Sequence, residues 1–136
     1  MPIGAPKQRV SDVVLDASAL IALLRREAGA AQVEAVVSTS LMSTVNLGEV
    51  LGKLVDYGMP EMEAFAAVAG LGIAMVDVDV DLARDSARLR KATRGAGLSL
   101  GDRICLALGA RLDLPVVTAD RVWATLGLPL DIRVIR

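Results

Sequence analysis

The strongest constraint on this chain is an alternation. Short apolar runs of strand type recur along it, each followed by a longer segment with apolar residues at helical spacing. Strand-type runs fall at Val13-Val14-Leu15, Leu41 to Thr44, Ile73 to Val78, Pro115 to Thr118 and Ile132 to Ile135. Helical spacing marks Ala19 to Leu24, Ala30 to Val37, Val45 to Tyr57, Pro60 to Leu71, Leu82 to Arg94, Leu100 to Leu112 and a short Arg121 to Leu126. Strands alternating with helices must pair side by side and be covered above and below. The expected fold is therefore α/β, with a mostly parallel sheet of about five strands flanked by helices on both faces.

Local signals punctuate the pattern. Ser18 is placed to cap the first helix and Asp81 the long helix from Leu82. Gly58 stops one helix, and Pro60 suits the first turn of the next, where Glu61 and Glu63 favour a helix N-terminus. The 136 residues suit one domain. We expect residues 1–12, with Pro2, Gly4, Pro6, Lys7 and Arg9, to form a flexible lead-in, and residues 13–136 to form the domain. The lead-in lacks the apolar core of a signal peptide. No uncharged apolar stretch is long enough to span a membrane.

Three absences narrow the chemistry. Histidine is missing altogether, which excludes a Ser-His-Asp triad, a Cys-His pair and a Cys/His zinc site. Cysteine occurs once, at Cys105 in an apolar helical run. An intramolecular disulfide is excluded, which suits a reducing cytoplasm, and the thiol reads as buried core. The net charge is −1, so any nucleic-acid binding must come from a local patch and not from a global basic field.

Carboxylates are left to carry the chemistry. In an open α/β sheet, sites form beyond the carboxyl ends of the strands. Asp16 ends the first strand, and Asp120 follows the Pro115 to Thr118 strand. Glu49 lies on the helix after the second strand, and Asp102 near the start of the helix leading to the late strand. Each acid also has a plain structural reading. Asp16 and Asp120 could cap helices, Asp102 could complement a helix N-terminus, and Glu49 could pair with Lys53 one turn on. Ser18, Asn46 and Thr118 accompany the acids and could hold ligands or waters in place. Four carboxylates in one cleft raise one another's pKa unless a cation neutralises them. An all-oxygen donor set without imidazole suits Mg²⁺ or Mn²⁺.

Four short motifs together resemble those of PIN-domain nucleases. They are Val14-Leu15-Asp16-Ala17-Ser18-Ala19-Leu20, Asn46-Leu47-Gly48-Glu49-Val50, Ser99-Leu100-Gly101-Asp102-Arg103-Ile104 and Val117-Thr118-Ala119-Asp120-Arg121. Their order and spacing are most similar to the VapC-type toxins of bacterial toxin–antitoxin pairs, over residues 13–136. The resemblance implies a Mg²⁺- or Mn²⁺-dependent endoribonuclease acting on RNA, a homodimer, and a small cognate antitoxin covering the active site. It implies that Asp16, Glu49, Asp102 and Asp120 hold the metal, with Ser18 beside them. Trp123 occupies the region where the fourth motif often ends in an aromatic residue, and the chain lacks the further acid that some members have directly after Asp120.

For the substrate, Arg84, Arg88 and Lys91 share one helix face and could contact phosphates, with a solvated surface paired to Asp81 and Asp85 as the plain reading. The alanine-rich helices at Ala30 to Val37 and Pro60 to Leu71 could be ordinary core or a groove for a partner. Two other functions compete. A non-catalytic PIN-like module would bind RNA or protein without cleaving. An Asp-nucleophile phosphatase would use Asp16, but its pattern needs a second Asp two residues later, where this chain has Ser18.

Overall fold

The computed structural model describes residues 11–136. Most of the expected lead-in therefore lies outside the described residues. Its last residue, Asp12, is held by Thr39, which donates its hydroxyl to Asp12 at 2.6 Å and accepts the Asp12 amide through its carbonyl at 2.8 Å.

Among the described residues five strands form one wholly parallel sheet: β1 (Val13–Leu15), β2 (Ser40–Ser43), β3 (Ala74–Val76), β4 (Val116–Thr118) and β5 (Ile132–Val134), in the order β3-β2-β1-β4-β5. The register sets Val14 opposite Leu41 on one side and Val116 on the other. Among the described residues six α-helices accompany them: α1 (Ala17–Leu24), α2 (Ala30–Glu34), α3 (Thr44–Asp56), α4 (Glu61–Ala69), α5 (Val80–Thr93) and α6 (Leu100–Leu112).

The side-chain alternation along β1 divides the interior in two. Val13 and Leu15 point into a core shared with α1, α2, α3 and α4, including Leu20, Val33, Val50 and Val68. Val14 points the other way, into a core made by Leu82 of α5, Ile104 to Leu108 of α6, and Trp123. The sheet is thus covered on both faces, which explains why its central strand is apolar at every position. Each fully buried Leu or Val in these layers contributes roughly 1.5–3 kcal/mol. With few aromatics available, close approach replaces bulk. Gly109 of α6 meets Val116 so tightly that an added Cβ would overlap the Val116 side chain.

The structure corrects several expected boundaries. The first helix is capped by Asp16, not Ser18. The Asp16 carboxylate accepts the Ala19 amide at 2.8 Å, and Ser18 is instead inside the first turn, donating its hydroxyl to Asp16. The long helix is capped by Asp79, not Asp81: the Asp79 carboxylate accepts the Leu82 amide at 2.7 Å and is gripped from α6 by Arg111 at 3.0 Å. That ion pair holds the Asp79 carboxyl below its ordinary range. The Ala30 to Val37 helix shortens to α2 and passes into a 3₁₀ turn at Val37–Thr39. Pro60 is the cap residue of α4 and not its first turn. The segment Arg121–Thr125 is a 3₁₀ turn. Gly29 enters α2 with φ +95, in the left-handed region, and packs on Ile135 where a Cβ would clash, so glycine is required there twice over.

Candidate active site

The centre of the sheet is its topological switch point. From β1 the chain leaves toward β2 on one side, and β4 pairs on the other, so the connections diverge above the carboxyl ends of β1 and β4. There a cavity of about 390 Å³ opens. Asp16, Glu49, Asp102 and Asp120 all line it. Four segments far apart in sequence thus bring their acids to one place.

Asp16 is the most constrained. It is buried, at 3% exposure. Thr118 donates to one carboxylate oxygen at 2.5 Å, the Ala19 amide donates to the other, and Ser18 lies 2.9 Å from both. These hydrogen bonds favour the ionised form, but burial outweighs them and Asp102 adds like-charge repulsion. The carboxyl is pushed up to about 6. Ser18 also accepts the Ala119 amide at 2.9 Å, and Thr118 accepts the Asp120 amide at 3.0 Å. Ser18 and Thr118 therefore tie the ends of β1 and β4 together around Asp16.

Glu49 is set by its neighbours on α3. Ser43 caps that helix and donates to the Asn46 side-chain oxygen at 2.7 Å. The amide group of Asn46 can then point one way only. It donates to Glu49 at 2.8 Å and to the Gly101 carbonyl at 3.1 Å. Asn46 is wholly buried and stitches α3 to the start of α6. The Glu49 carboxylate rests on Gly101, where any Cβ would overlap it. Partial desolvation and the nearby Asp102 raise its pKa. The alternative pair with Lys53 does not form: among the described residues Glu49 bonds to Asn46 instead.

Asp102 belongs to a capping box. Its carboxylate accepts the Ser99 amide at 2.9 Å, and its own amide donates to the Ser99 hydroxyl at 3.1 Å. Asp120 accepts the Val122 amide at 3.0 Å. The structural readings of Asp16, Asp102 and Asp120 thus hold alongside the shared cavity: each acid caps a helix or turn and also faces the same opening. Capping spends one carboxylate edge and fixes the rotamer, which is how a short chain can pre-position an acid without dedicated supports.

Other residues behave differently. Arg84, Arg88 and Lys91 are exposed on α5 and do not line the cavity; Arg88 pairs with Asp85 at 2.5 Å. The thiol of Cys105 is buried and pushed well up by desolvation and by Asp16, Asp102 and Glu49. The cavity is also lined by Glu27, Lys53, Tyr57 and Arg136. Arg136 is held by Glu27 at 3.1 Å, across 109 positions of sequence, a pairing with no local signal. Lys53 and Tyr57, by contrast, follow Glu49 at intervals of four, a legible spacing.

The model of the PIN domain matches residues 13–127. The chain belongs to the PIN-domain family. No curated protein matches it. Among solved structures, this PIN domain is similar to a toxin–antitoxin complex from Klebsiella pneumoniae, with TM-score 0.74 and 24% identity over 92% of this chain and 98% of that one. It is similar to VapC20 of Mycobacterium tuberculosis, described as a sarcin-ricin loop cleaving toxin, with TM-score 0.73 and 18% identity over 90% and 99%. VapBC-5 of the same organism matches at 25% identity over 93% and 98%, with TM-score 0.58.

The donor set of the cavity is all oxygen, which fits a hard divalent cation, and the desolvated Asp16 has a charge to be neutralised. As placed, no three acids among the described residues converge on one ion's coordination sphere.

Proposed function

We propose that this PIN domain is a Mg²⁺- or Mn²⁺-dependent endoribonuclease, the toxin of a VapBC-type toxin–antitoxin pair. The observation that carries the reading is the single cavity lined by Asp16, Glu49, Asp102 and Asp120 at the sheet's switch point. The similarity to structures described as toxin–antitoxin complexes, and to one described as cleaving the sarcin-ricin loop, supports RNA as substrate and a small antitoxin as partner. A homodimer acting in the cytoplasm completes the proposal. A lone buried thiol suits that compartment, and no helix among the described residues is long and apolar enough to cross a membrane.

The four acids would hold the cation, which when bound supplies a more acidic water and neutralises charge at phosphorus. The chain's own contribution is positioning. Thr118, Ser18 and the Ala19 amide fix both oxygens of Asp16. Asn46 aims Glu49, and Ser99 aims Asp102. Burial of Asp16 keeps bulk water from that oxygen pair, which strengthens its attraction for a cation. A non-catalytic binding module is the second reading, favoured by the failure of three acids to converge on one ion. Cleavage of single-stranded RNA in Mg²⁺ or Mn²⁺, lost in EDTA and in a folded Asp102→Asn variant, decides between them. Cleavage that persists in that variant and in Asp16→Asn overturns the site.

A further inference from the structure

A cavity rich in carboxylates repels the phosphates it must hold unless cations are set into its wall. Among the described residues lining this one, the cations are Arg136 and Lys53. Arg136 is engaged by Glu27 at 3.1 Å and also reaches the Ala28 carbonyl at 3.4 Å. Lys53 is exposed on α3 and has no ion pair among the described residues. It lies one turn beyond Glu49, and Tyr57 one turn beyond that. Residues four apart on a helix share a face and sit about 6 Å apart along its axis. That is comparable to the separation of neighbouring phosphates along an extended strand.

Tyr57 is 52% exposed, a large value for an aromatic side chain in a chain holding one Tyr, one Phe and one Trp. The Arg25 guanidinium lies 3.5 Å from its ring centroid, which holds the ring in place. Tyr57 lines both the acidic cavity and a neighbouring one of about 260 Å³, formed with Leu24, Arg25, Leu54, Met59 and Ala67. A carboxylate, an ammonium and a braced aromatic ring thus run in line away from the acids.

We infer that this face of α3 is the track for single-stranded RNA: Lys53 takes the phosphate next to the scissile one, and the Tyr57–Arg25 pair stacks the flanking base. Aromatic and guanidinium planes accept any base by stacking, and a lysine contacts phosphate as a point charge. A base inside a duplex has no free face to offer, so the track selects unpaired nucleotides. The inference rests on the nuclease reading above and adds the substrate's path and the residues that hold it.

The test uses the full chain carrying Asp102→Asn, with a fluorescent single-stranded RNA 12-mer containing 2-aminopurine, alongside cleavage by the otherwise unaltered protein. Lys53→Ala is expected to lower the slope of log affinity against log salt by roughly 0.7, the loss of one phosphate contact on a single strand. Lys53→Arg should restore it. Tyr57→Ala is expected to weaken binding roughly 5- to 150-fold and to abolish 2-aminopurine quenching, with Tyr57→Phe retaining both. If the protein cleaves RNA but both alanine variants keep the parent's affinity, salt slope and quenching, the track is wrong and the nuclease reading stands. If the protein neither binds nor cleaves RNA in Mg²⁺ or Mn²⁺, the nuclease reading falls and the track falls with it. Equal loss of blunt-duplex binding in Tyr57→Ala also overturns the stacking role.

Discussion

Asp16 is expected to weaken the metal-free fold that it helps to shape. Its carboxyl is raised from 3.8 to about 6, with burial the largest cause. A change of that size corresponds to roughly 3 kcal/mol of differential stability between its two protonation states. The sign follows from proton binding. Between about pH 4 and pH 6 the folded chain holds the proton that the unfolded chain has released, so stability falls as pH rises through this window and then levels off. Asparagine has the same shape, no charge, and is as good a helix cap as aspartate. In EDTA at pH 8, Asp16→Asn should therefore be more stable than the parent by about 1–3 kcal/mol, the lower bound allowing for the Thr118 hydrogen bond that an amide must remake. Near pH 4 the difference should vanish. Urea denaturation followed by the fluorescence of Trp123, the chain's single and fully buried tryptophan, measures both. A variant less stable than the parent at pH 8, or a difference that ignores pH, refutes the reasoning. Added Mn²⁺ should raise the parent's midpoint and leave the variant's unmoved, since a ligand stabilises only the state that binds it.

Gly101→Ala inserts a methyl group where the Glu49 carboxylate rests. Glu49 must swing away from Asn46, which is expected to cost about 1 kcal/mol in denaturation and to lower RNA cleavage roughly 10- to 100-fold. Replacing Arg84, Arg88 and Lys91 together by alanine tests the α5 face. Because the Arg88–Asp85 pair is exposed, stability should change by less than about 1 kcal/mol. If RNA crosses this face, the salt slope of binding falls by about 2; an unchanged slope removes α5 from the RNA's path.

The elements were readable where local and global preferences agree. Val13-Val14-Leu15 is apolar at three consecutive positions because both faces of β1 are covered, and Asp16 follows it at the place where sheets of this class gather ligands. Boundaries were lost where a distant partner decides. Asp79 and Asp81 are equally good caps by type, and Arg111 of α6 selects Asp79. Ser18 looks like a cap until β4 arrives, when its hydroxyl is drawn to Asp16 and the Ala119 amide. Asp16, Asp102 and Asp120 were legible from residue type and position, since each follows a strand or opens a helix, whereas Glu49 lies in the second turn of α3 and its placement depends on Asn46. Glu27 and Arg136 were not legible, because they are 109 positions apart and only the finished fold brings them together.

The solitary Cys105 turns the interior into a clock. Its thiol is sealed in the core between α6 and the sheet, and its ionisation is held back by burial and by the acids nearby. A thiol-reactive dye can modify it only when that core opens, so the modification rate counts openings. Because the same layer carries Asp102, anything that occupies the acidic cavity and steadies α6 should slow the clock. Cation affinity could then be read from the native protein in a cuvette, with no RNA and no turnover.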